Sequence, residues 1–490
     1  MYIVFVMRST LSPLAFILSS CFAFAQTANT WYVPDDYATI QGGIDAIQIG
    51  DTLIVRDGTY FENIHFNGNE IILKSEHGAE STIINGSQQG SVVSFENNLG
   101  WGTTRLEGFT ITNGSGTFDV NANILCGGGI YMKASAPVIQ ECIIKDNQSG
   151  FGGGVYMRDD SPAILSGNTI SNNSARAGGG LCIIESETRI LNNLILNNSA
   201  YAGNGGAMTI NDSFSPVIQG NIIAFNTASG SGGGIASIRS LLWISKNSIA
   251  FNTAQLGGGI HLSDGSMGVL FDSILWVNVA SQGDNLWIGG GFWGTSASML
   301  EISFCALSDG WSSTYLDPYT GNTLFDVAGN IDDDPMFLNP LAGQDYSWNN
   351  FELQSGSPCI DSGHPTSQAD ADGSPSDMGA VYYDHNTIRP TLSVSSLIAG
   401  QTAVVQLSNC TPNRTVFLAW SMTSRGPINT PYGQAYVGAP YQVKVLGSDS
   451  SGGTILYQDV PPQLSGQSIW FHGLDIGSGT LLNPVAMTIL

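Results

Sequence analysis

The chain has 490 residues, a formal net charge of −24, 61 glycines and only 11% charged residues. A chain of this length can hold a large core and two or more domains. So acidic a balance excludes a nucleic-acid binder, and it repels anionic polysaccharides unless metal ions bridge the two. Beyond the N-terminus no run of 18 apolar residues occurs, so no transmembrane segment is expected in the mature chain.

In chain order, Met7-Arg8 and the apolar stretch from Leu11 end at Ala23-Phe24-Ala25 before Gln26. Residues 1–25 therefore read as an export signal, which predicts an extracellular or cell-surface protein of a bacterium. Leu18-Ser19-Ser20-Cys21 also fits a lipobox, which would make Cys21 a lipidated first residue. The two processing sites exclude one another on a single molecule. Next, Ile40, Ile44 and Ile47 share one helical face behind Thr39, a suitable N-cap. A short helix is predicted there, weakened by Gly42 and Gly43.

Between Gly127 and Asn278 the chain repeats every 25 to 28 residues. Each unit opens on a glycine triplet and an apolar residue, as in Gly152-Gly153-Gly154-Val155, with Asn204-Gly205-Gly206-Ala207 as a degenerate copy. Each unit closes on an asparagine: Asn147, Asn173, Asn198, Asn226, Asn252 and Asn278. Three residues before these stand Ile144, Ile170, Ile195, Ile223, Ile249 and Leu275. Such a period means stacked units. The β-branched runs inside each unit are short and bounded by turn residues, so they read as strands. Three strands per coil, each pairing in parallel with its copy in the next, climb about 4.8 Å per turn. Isoleucines then fill the interior, and the asparagine amides form an internal hydrogen-bonded ladder.

The glycine-triplet and Phe225-Asn226-Thr227-Ala228 patterns resemble the repeats of polymorphic outer-membrane proteins. More broadly the chain resembles the right-handed parallel β-helix superfamily that includes pectate lyases. Thr39-Ile40-Gln41 through Gly58-Thr59-Tyr60 is similar to the opening of such proteins, where a helix plugs the first coil. Ser357-Pro358-Cys359-Ile360-Asp361 and Asp377-Met378-Gly379-Ala380 are similar to their closing segment. The resemblance implies an all-β right-handed parallel β-helix over residues 26–385, with its cap at about 30–60, regular coils at 127–278 and an irregular acidic close at 299–385.

No Lys or Arg occurs in the 142 residues between Lys246 and Arg389, which hold seventeen Asp and Glu. From Arg389 the balance is four basic to three acidic, and residues 389–490 alternate apolar and polar in short runs such as Thr415 to Trp420. They read as a small antiparallel β-sandwich. Of the cysteines after the signal, Cys126, Cys142 and Cys182 do not stack in register and are expected to be buried thiols. No C-x-x-C or clustered His accompanies them, which disfavours zinc.

Three places offer chemistry. Counting seven from each triplet start gives Asp159, Glu185, Asn211 and Arg239 on the coil exterior, with Lys133 and Arg158 one position earlier. Stacked coils would set Asp159 and Glu185 about 5 Å apart, a spacing compatible with retaining glycoside hydrolysis. Arg158 or Arg239 would serve as base in a lyase. Equally, residues at strand ends are polar because they face water. Trp293, Trp311 and Tyr315 fall where the repeat loosens, and would either stack on sugar faces or pack the end of the coil. Asp370 and Asp372, in a D-x-D-G turn, with Asp377 form a candidate calcium site. No uronate-hydrolase motif set is present. The expectation is a non-catalytic surface protein that binds polysaccharide or cell-surface glycans; a polysaccharide lyase or glycosidase is the alternative.

Overall fold

The structure, a computed structural model, describes residues 28–97, 102–290, 296–318, 321–338, 348–423 and 426–490. The export signal with Cys21, and Trp293, lie outside these residues.

The chain winds into a parallel β-helix. In one coil the strand Val155–Arg158 forms the first face, Ile164–Ser166 the second and Thr169–Ser171 the third. A fourth short strand, Ser174–Ala177, leads into the next glycine triplet. The second face is a 12-stranded sheet, the first and third have ten strands each, and the added side sheet has six. The first and third residues of each first-face strand point inward, so Val155 and Met157 stack on Ile130 and Met132 below and on Leu181 and Ile183 above.

The triplets have a conformational and a steric cause. Gly152 sits at φ +62°, where a side chain is strained, and a Cβ on Gly153 would lie 2.5 Å from the Gly179 carbonyl. The copy at 205 corrects the predicted alignment by one residue. Gly205, at φ +72°, opens that triplet, and Met208 rather than Ala207 pairs with Leu181 and Ile235.

Polar columns hold the corners. Asn147, Asn173, Asn198, Asn226, Asn252 and Asn278 are buried, and each Nδ2 donates to the Oδ1 above at 2.9–3.0 Å. A second ladder, not foreseen, runs Asn168, Asn193, Asn221 and Asn247 at 2.9–3.0 Å. A third joins Ser135, Ser161, Ser186, Ser213 and Ser240, each backbone N–H donating to the next hydroxyl at 3.1–3.2 Å. These columns satisfy corner amides that would otherwise be buried without partners.

The helix Ile40–Ala46 plugs the first coil, capped by the Thr39 hydroxyl, with Ile40 and Ile44 fully buried. Gly43 does more than weaken it: a Cβ there would meet the Leu53 side chain at 2.5 Å, so the glycine lets the helix seat. At the other end, residues 331–338 and 348–383 fold back along the third face. Phe337, Phe351, Leu353 and Met378 cover Ile222, Ala224, Ala250 and Ile274, which project outward from that sheet. All six cysteines among the described residues are buried and free.

Beyond the coil, Thr391–Ser395, Thr402–Ser408 and Thr454–Asp459 form one antiparallel sheet. Thr415–Ser421, Gln442–Gly447 and Ser468–Asp475 are the main strands of a second. Leu392, Val405 and Leu407 meet Val416, Leu418 and Phe471 between them, giving a small antiparallel sandwich.

Candidate functional site

Asp159, Glu185, Asp212 and Arg239 end successive first-face strands, and all four have a left-handed backbone, with φ of 49–57°. Asp212 holds this place, not Asn211, because of the one-residue shift above. Asn and Asp tolerate that conformation best among side-chain-bearing residues, so the turn itself favours polar residues here. Asp159 is ion-paired with Arg158 at 3.0 Å and Lys133 at 3.7 Å, and Arg239 grips Asp212 through two bonds of 2.7 and 2.8 Å. Glu185 stands exposed on the next coil, its carbonyl accepting from the Asp160 amide. None of the four lines the groove described below.

Nor are the predicted aromatics in one place. Trp311 is exposed on a 3-10 turn, Gly310–Ser313. Tyr315 belongs to a stack on the first face, its ring 6.1 Å from Trp287, which in turn lies 4.4 Å from His261. Burial pushes the His261 imidazole down to about 3, so it is neutral, and its Nδ1 has no hydrogen-bond partner among the described residues.

Asp370, Asp372 and Asp377 do not converge on a cation. Asp370 accepts from the Lys246 ammonium at 2.9 Å and from the Asp377 amide at 2.8 Å. Buried Asp377 takes the Asp361 and Tyr383 amides, both at 2.6 Å, and burial pushes its carboxyl up to about 6. Asp372 accepts from Ser374 and the His385 amide, which hold it down at about 2. Calcium needs open oxygens, and here they face N–H and ammonium donors, so the three residues do not fit the ion. Among the described residues, the only set of three or more His, Cys, Asp or Glu side chains within mutual ligand reach is Asp57, Glu76 and His77, all at the opening of the chain.

What these aspartates do instead is raise a wall. Residues 364–371 stand over the outer surface of the second face and enclose a groove of about 810 Å³. Lys246 holds the wall through Asp370 and the Gln368 carbonyl. Asp272, fully buried at the corner between faces, accepts from the His364 amide at 2.6 Å and from the Ser367 hydroxyl. The floor is made by outward residues of adjacent coils in register: Trp243, Val269 and Glu301 in one row, Ser245, Phe271 and Ser303 in the next. Trp243 is 48% exposed and meets the Phe271 ring edge-on at 5.3 Å. Asn192, Gln219 and Gln368 add exposed amides. The floor was readable in the sequence, since Leu242 and Ile244 point inward and place Trp243 outside; the wall was not.

Residues 51–273 match the family model for a right handed beta helix region. The coil is a right-handed parallel β-helix. Among solved structures, the chain is similar to a pectin methylesterase mutant in complex with a hexasaccharide: 9% identity, 68% of this chain and 94% of that chain covered, TM-score 0.25. No curated protein matches it.

Proposed function

We propose that this β-helix is an exported surface protein that holds a glycan in the second-face groove without turning it over. The observation that carries this reading is the exposed Trp243 ring on a rigid floor, bordered by amides and hydroxyls and walled on one side. An aromatic face with convergent polar groups suits a sugar ring, which presents C–H bonds on its face and hydroxyls at its edge. The groove's carboxylates support binding over chemistry. Asp272 is engaged by the wall and Asp370 by Lys246, which leaves Glu301 as the groove's one carboxylate outside such contacts among the described residues, without the paired carboxylates a glycosidase uses. Export is supported by residues 1–25, and Cys21 would supply a lipid anchor if the lipobox is used.

A hydrolase or lyase working at Asp159 and Glu185 is the second reading, favoured by their neighbouring places on the coil. Incubating the mature chain with neutral and acidic polysaccharides separates the two. We expect retention of polymer and no product. New reducing ends or unsaturated products that vanish in Asp159→Asn or Glu185→Gln would install the enzyme.

A further inference from the structure

We infer that the groove is built for a neutral glycan and discriminates against polyuronates. This rests on the glycan reading above and adds the chemical class of the ligand. The charged groups and the histidine that line the groove are few, and each can be followed. Lys246 is its only Lys or Arg among the described residues, and its ammonium is bonded to Asp370 at 2.9 Å and turned toward the Gln368 carbonyl. His364 accepts the Thr366 amide on Nδ1 at 3.1 Å. Asp272 is buried behind the wall. Glu301 alone presents an exposed charge, and it sits in the floor row beside Trp243 and Val269.

A uronate carboxylate laid on this floor would find no unpaired cation and would meet the Glu301 carboxylate. The 142 residues without Lys or Arg after Lys246 make the last coils and the whole wall negative, and the net charge of −24 extends that repulsion to the encounter. Removing the carboxylate from the ligand removes the conflict. Hydroxyls pair with Asn192, Gln219 and Gln368, whose amides both donate and accept, while the sugar face covers the indole.

Titration calorimetry of the mature chain, in chelator, against a panel of neutral hexasaccharides (β-linked glucose, xylose and mannose) and a galacturonate hexamer tests this. The expected result is a neutral ligand bound at least tenfold more tightly than the uronate. Trp243→Ala should weaken it tenfold or more, and Gln219→Ala, an exposed change that leaves the fold alone, severalfold. Glu301→Gln should strengthen the uronate relative to the neutral ligand. If the uronate binds as tightly or more so, and Trp243→Ala abolishes it, the groove stands and the neutral class falls. If no hexasaccharide binds, or neither Trp243→Ala nor Gln219→Ala changes binding, the groove is not the glycan site and both readings fall.

Discussion

Lys246 and Asp370 are separated by 124 positions in the chain and by 2.9 Å in space. The pair is sheltered, with side chains 24% and 6% exposed, and it fastens the wall of the groove to the coil. Removing the lysine leaves a sheltered carboxylate with a single backbone donor. Lys246→Ala should therefore cost about 1–3 kcal/mol, between an exposed and a fully buried pair. Hydrogen exchange should rise selectively across residues 361–383, with the regular coils unchanged.

Each mid-stack asparagine makes its bonds in both directions. Asn198 Oδ1 accepts the amide and side chain of Asn173, while its Nδ2 donates to the Ile170 carbonyl and to Asn226. Asn198→Ala leaves these buried partners unsatisfied and should cost about 1–3 kcal/mol. Asn193→Ala, in the second ladder, should cost a similar amount. Urea unfolding of the two variants measures it, and midpoints equal to the unsubstituted chain would refute the structural role of the columns.

Calcium should not matter. With Asp370, Asp372 and Asp377 engaged by protein donors, the melting temperature in excess calcium and in chelator should agree. A rise with calcium that is lost in Asp372→Asn would show that the turn reorganises around the ion.

Acid stability should carry a histidine signature. Burial lowers His261 to about 3 and His472 to about 4, against an ordinary value of 6.5. The unfolded chain then binds protons that the folded chain does not, so stability contributed by the neutral rings is present above pH 6.5 and is lost as pH falls toward 4. Asp377 works in the opposite sense: raised from 3.8 to about 6, it favours the folded state at low pH and loses that contribution as pH rises through 6. His261→Phe keeps a ring against Trp287 and removes one titrating site. It should reduce the slope of stability between pH 6 and 4 by about 1.4 kcal/mol per pH unit.

The exterior carboxylates invite a control. Asp159→Asn breaks a part-exposed cluster with Lys133 and Arg158, so the loss of stability should stay below about 1 kcal/mol. Glycan binding by the groove should be unchanged.

The repeat was legible because neighbouring coils bury equivalent positions, so Ile144, Ile170 and Ile195 had to recur in step with Asn147, Asn173 and Asn198. The second ladder was equally present in the sequence: Asn168, Asn193, Asn221 and Asn247 each stand five residues before a member of the first. The alignment at 204 slipped because Ala207 replaces the third glycine, and only the positive φ of Gly205 marks where the turn begins. The wall was beyond reach for a different reason. Its partners, Lys246 with Asp370 and Asp272 with His364, lie about a hundred residues apart in a segment with no period, and nothing local ties an acidic turn to a particular coil.

The position of the closing segment divides the molecule by copy number. Each coil hands the same amides and hydroxyls to the coil above that it receives from the coil below, so an internal coil can be duplicated or lost while its neighbours close over the gap. That freedom ends where the segment is fastened. Lys246, Ser248 and Asp272 each bind residues between 364 and 380, and inserting a coil among them would part anchors that one segment must span. Growth and shrinkage of this molecule belong to the coils between the N-terminal plug and Asn192, where the rod can change its length while its groove stays the same.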